Sequence, residues 1–152
     1  MALITEGYLL TALIAGIIGG VAMEIVMWLI ARSGLARGDM ILALGSMVTK
    51  RREGAYRVGW SIHAIAAMGF ALVYTTLMVA LGLTELPASL MIGLGTGFLH
   101  GLIVSLMLVW IVADQHPLEE FQEADLLVGL THLAGHIAYG AVIGLVVGIS
   151  PV

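Results

Sequence analysis

The chain has no cysteine. Disulfides and thiolate-held metals are therefore excluded, and cysteine usage says nothing about redox compartment. Charge is also scarce. Asp, Glu, Lys and Arg make up 11% of 152 residues, where a soluble domain carries about 25%. The net charge of −4 gives no footing for nucleic-acid binding. No basic residue precedes the first apolar run in "MALITEGYLLTALIAG". That argues against a cleaved signal peptide and for a retained first helix.

What fills the space is hydrocarbon. The sequence is 61% hydrophobic, in four runs at 8–31, 57–83, 88–113 and 125–149. Each reaches the roughly 20 residues that a bilayer core requires. Backbone groups in lipid must bond internally, so these runs are expected to be helices. Short links between them predict an all-α, integral membrane four-helix up-down bundle forming a single domain over residues 1–152. The lipid bilayer is its first partner, with a homo-oligomer or a larger membrane complex as the second expectation.

All six basic residues, Arg32, Arg37, Lys50, Arg51, Arg52 and Arg57, fall in or beside the first connection. The positive-inside rule places connection 32–57 in the cytoplasm and both termini outside. The third connection, "ADQHPLEEFQEAD", returns to the cytoplasm with Asp114, Glu119, Glu120, Glu123 and Asp125. Opposite charge lets the two connections pair, although exposed pairs contribute at most about 1 kcal/mol. Trp28, Trp60 and Trp110 fall near the same ends, as an interfacial aromatic belt would.

Within "DMILALGSMVT" (39–49), Met40, Leu44, Met47 and Val48 recur at helical spacing. This predicts a short amphipathic helix lying at the membrane surface. "HPLEEFQEADLL" repeats the pattern weakly, with Leu118 and Phe121 on one side and Pro117 at a helix start. His116, beside that proline and near Glu119 and Glu120, reads as part of a solvated loop, with a peripheral metal ligand as the lesser alternative.

Two alignments suggest an internal repeat. "GIIGGVAMEIVMW" (16–28) matches "GLGTGFLHGLIVS" (93–105), and "GWSIHAIAAMGFALV" (59–73) matches "GLTHLAGHIAYGAV" (129–142). The expectation is two related helical hairpins, with His63 and His132 facing one another across a pseudo-two-fold axis.

Ionisable residues inside the spans are few: Glu24, His63, His100, His132 and His136. Each span supplies at least one. Residues four apart share a helix face, and each of these shares its face with small residues. Examples are Gly16, Gly20 and Glu24, or His132, His136, Gly140, Gly144 and Gly148. Small residues mark packing faces in membranes, so all five are expected to point inward. At about 1.5 Å per residue, Glu24, His63 and His132 lie roughly 9–12 Å from the cytoplasmic ends, and His100 and His136 roughly 16–18 Å.

A carboxylate at this depth needs a proton, a histidine or a cation. Imidazole and carboxylate together suit a transition metal such as iron, copper or zinc, with Glu24, His63, His100, His132 and His136 as the ligand set. Met23 and Met27 could add soft ligands, or simply pack. A second reading is haem b, with His63 and His132 as axial ligands. A third is an accessory subunit whose histidines bond across helices. A fourth is a proton or ion path. Tyr74 and Tyr139 could donate hydrogen bonds inside the bundle.

"AGIIGGVAM" (15–23) and "HLAGHIAYGAVIG" (132–144) resemble the first and last helices of small four-helix membrane proteins in uncharacterised prokaryotic families. The resemblance implies the architecture and a prokaryotic cytoplasmic membrane. It carries no activity.

Overall fold

Every regular element is helical within residues 6–36, 39–123 and 125–152, which the computed structural model describes. Arg37 and the first five residues of the opening stretch lie outside the described residues. The helices are α1 (Glu6–Arg32), α2 (Met40–Thr49), α3 (Ala55–Leu81), α4 (Ala88–Met107) and α5 (Leu126–Gly148). Four segments are long and apolar enough to cross a membrane: Gly7–Arg32, Ala55–Leu81, Ala88–Val112 and Leu126–Gly148.

Local chemistry sets the ends. Asp39 accepts the Leu42 N–H at 3.0 Å and starts α2; Asp125 does the same for Val128 and α5. Gly82, at φ +66°, ends α3. Its N–H bonds Val79 O, and Leu83 N–H bonds Met78 O. This is a Schellman closure, which asks for glycine at the left-handed position. Beyond α4 the chain makes one wide π turn over Leu108–Val112, which the apolar run 88–113 did not announce.

Contacts between helices run through small residues. Gly93, Gly97 and Gly101 of α4 lie against Gly144, Gly140 and His136 of α5, so the two helices are antiparallel and nearly backbone to backbone. Gly16 and Gly20 of α1 meet Ala71 and Ala67 of α3, again antiparallel. Gly19 seats the Tyr139 ring, and Gly135 receives Met23 and Met27, which join α1 to α5. The two methionines are thus packing residues. The α4–α5 and α1–α3 contacts use the expected glycine and alanine stripes, whereas Gly19 and Gly135 lie off them.

By contrast α3 and α4 barely meet. They touch mainly where the Tyr74 hydroxyl bonds Thr96 O at 3.1 Å and the Phe70 ring lies 4.1 Å from that of His100. The gap between them is the most consequential feature of the fold.

The short helix α2 is present where expected, and the face it packs against α3 is not its apolar stripe. Ile41, Leu42, Gly45 and Ser46 are buried, with Gly45 against Ala55 and Gly59 against Ile41. Val48, placed on the apolar stripe by its spacing, is 61% exposed. Backbone contact at two glycines outweighs the larger apolar side chains in choosing the face. The second amphipathic helix does not form. One 3-10 turn, Glu119–Phe121, stands in its place.

A Cβ at position 140 would overlap the Gly93 carbonyl and lie 2.9 Å from Gly97 Cα. Gly140→Ala should therefore cost about 1–3 kcal/mol. Gly95, with nothing within 4 Å of such an atom, should accept Ala with a gain of up to about 1 kcal/mol. Unfolding in detergent micelles separates the two variants.

Candidate functional site

Between α3 and α4 lies a cavity of about 1270 Å³. Its α3 wall is Ile62, His63, Ala66 and Phe70, and its α4 wall is His100, Val104 and Met107. The floor is α5, with Val128, His132, His136 and Tyr139. Met40, Leu44 and Met47 of α2 close it from the side of the long connection. Three of the four residues of the stripe expected at the membrane surface therefore line this cavity, and Val48 does not. All five histidines of the chain line it.

Backbone carbonyls only accept, which fixes the protonation of the deep rings. His132 Nδ1 lies 2.8 Å from Val128 O. His136 Nδ1 lies 2.7 Å from His132 O. Both Nδ1 atoms therefore carry the proton. Tyr74 has one hydroxyl hydrogen and gives it to Thr96 O, so His100 Nδ1–H donates to the Tyr74 oxygen at 3.1 Å. Among the described residues, three rings thus spend Nδ1–H on the scaffold and leave Nε2 as a bare lone pair. His132 and His136 are buried residues, and the hydrogen bonds they make are at Nδ1 alone, which leaves Nε2 without a protein partner on the cavity side. A hydrogen bond at one ring nitrogen is what sets the other as a ligand.

The predicted residues do not converge on one point. They form two pairs and a neighbour. His100 and His136 stack edge to face at 4.7 Å. His132 lies one turn along α5 from His136. His63 Nε2 stands 3.4 Å from Glu24 Oε1, and neither atom has a hydrogen-bond partner although both are sealed from solvent. Glu24 sits in the α1–α3 seam with its side chain 23% exposed. It touches His63 from behind and does not line the cavity. Among the described residues, no group of three or more His, Asp or Glu side chains is arranged to hold a metal ion.

His116 is 3% exposed, so its reading as a solvated loop residue is overturned. Its Nδ1 accepts the Leu118 N–H at 3.1 Å, and its Nε2–H donates to Ala43 O on α2 at 3.1 Å. The ring ties the third connection to the first. Among the described residues one ion pair joins the same two connections, Arg52 Nη1 to Glu120 Oε2 at 2.6 Å. Both of its side chains are exposed, so it contributes little. No sequence signal marks the His116 contact, because its acceptor is a main-chain carbonyl 73 residues away. Tyr74 and Tyr139 both donate across helices, the latter to Ala67 O.

Compared with family models, curated proteins and solved structures, the chain finds no match.

His116→Ala should raise amide hydrogen exchange across α2 about tenfold, the loss of one buried hydrogen bond of about 1–1.5 kcal/mol. Arg52→Ala should change it far less.

Proposed function

We propose that the chain is an integral protein of a prokaryotic cytoplasmic membrane that binds a transition-metal centre in the histidine-lined cavity. The four apolar helices would form an up-down bundle of two related hairpins. Confinement of all six basic residues to 32–57 supports that connection as the cytoplasmic one. The exposed Leu, Ile and Val of the outer helix faces would meet acyl chains.

The observation that carries the metal reading is the bare Nε2 on His100, His132 and His136, each held in place through its other nitrogen. Neutral imidazole in that tautomer suits iron, copper or zinc. His100 and His136 would be the nearest pair of ligands. His63, with Glu24 behind it, would supply the compensating charge. The orphaned Glu24 and His63 atoms fit such a role, because a buried polar pair without partners calls for a proton or a cation. Pairs of ligands require the rest of the coordination shell to come from the incoming group.

The size of the cavity favours a second reading. About 1270 Å³ is far more than an ion occupies and accommodates a macrocycle. His63 and His132, both on the lining, would hold a haem b there through their imidazoles.

Protein purified without chelators is expected to carry stoichiometric metal by elemental analysis. A Soret band would assign haem, and its absence with metal present would assign an ion. Replacing His132 and His136 together by Ala should lower metal content by at least about tenfold. Tyr74→Phe leaves the His100 ring but removes its anchor, and should weaken retention about tenfold. Unchanged metal in both variants, with an unchanged unfolding midpoint, would sink the assignment.

A further inference from the structure

We propose that the cavity is reached through a cation-selective vestibule beside α2, so that its natural ligand arrives carrying positive charge. This deepens the metal reading and rests on the same cavity, but it is tested without any metal.

Four carboxylates line the outer part of the cavity: Asp39, Glu120, Glu123 and Asp125. Among the described lining residues they meet a single guanidinium, that of Arg52, and Glu120 already occupies it. Asp39 accepts from Leu42 N–H and from the Tyr56 hydroxyl. Asp125 accepts from Val128 N–H. These neutral donors hold the carboxylates in position without cancelling their charge. Behind the carboxylates the walls are apolar: Leu44, Met47, Met107, Leu108 and Val112. A charged rim on low-dielectric walls focuses its field along the passage.

The inner end has the same polarity. His132 and His136, more than nine-tenths buried as residues, line the cavity and bond through Nδ1 alone, so their Nε2 lone pairs meet no protein donor. His100 offers a third. From rim to floor, nearly every polar group free to meet a ligand is an acceptor. A cation is attracted at the rim and satisfied at the floor. An anion is repelled at the rim and meets imidazole lone pairs on the α5 floor, the one uncommitted N–H among the lining histidines being that of His63 beside Glu24. A free haem, with two carboxylates of its own, would be disfavoured on this route.

The lack of cysteine makes the test direct. Val104→Cys places one thiol on the α4 wall, one turn from His100. Detergent-solubilised full-length protein is labelled with two thiosulfonate reagents of equal size, one bearing trimethylammonium and one bearing sulfonate. Their rate ratio is compared with that for 2-mercaptoethanol, so that any shift in thiol reactivity cancels. The cationic reagent should be favoured by at least about tenfold over that baseline. Adding Glu120→Gln and Glu123→Gln, or raising salt to 0.5 M, should bring the ratio to within about threefold of it.

A ratio equal to the baseline in the parent overturns the proposal. So does selectivity that survives both glutamines, or a thiol that neither reagent reaches. Selective labelling of a protein that never retains metal would retire the metal reading and keep the vestibule. Stoichiometric metal without selectivity would do the reverse.

Discussion

In hydrocarbon, apolar side chains gain little by meeting each other instead of lipid, so helices hold together where their backbones approach closely. Here that approach is concentrated between α4 and α5, along Gly93, Gly97, Gly101, Gly140 and Gly144. A weaker version joins α1 to α3, and methionines on Gly135 join α1 to α5. The consequence is an unequal set of interfaces. Three are closed along much of their length, and the fourth, between α3 and α4, is left open below Tyr74. The cavity is what remains when glycine settles the other three contacts. The same contacts bring His136 beside His100.

Polar side chains inside this arrangement follow a consistent economy of donors. The imidazoles of His100, His132 and His136 each hand their one hydrogen to a carbonyl of their own helix or to Tyr74, and Tyr74 hands its own to Thr96. The donors are consumed by the scaffold and the acceptors are left over. The acceptors left over border one space, and an incoming group that supplies a cation or a donor would satisfy them together. Glu24 and His63 show the same tension in the α1–α3 seam, where two polar atoms lie close without a bond that satisfies either.

Much of this was legible in the sequence. The four apolar runs and the structural spans agree to within a few residues, because length and hydropathy alone decide them. The small-residue faces of α1, α3, α4 and α5 were readable too, since a stripe at spacing four can only serve one neighbour. Three features were not. Which face α2 turns inward depends on Gly45 and Gly59, which are 14 positions apart and carry no hydropathy signal. His116 looked like a loop residue because its acceptor is main chain. The splitting of the ionisable residues into pairs depends on rotation and tilt, which a depth count along each helix does not contain. Glu24 shares a stripe with Gly16 and Gly20, and that stripe belongs to the α1–α3 seam, not to the cavity.

The π turn at Leu108–Val112 has a consequence for how the two ends of the molecule are phased. A π turn accommodates one residue more than an α-helical turn, and one residue in an α-helix is worth about 100° of rotation. Everything that follows α4, His116 included, is set by that offset. Helix α4 can keep its glycines locked on α5 while its continuation aims His116 at the Ala43 carbonyl on α2. The fit of the third connection onto the first is therefore a matter of chain length, like the tooth count of a gear, and would be lost by removing a single residue of any kind from the turn.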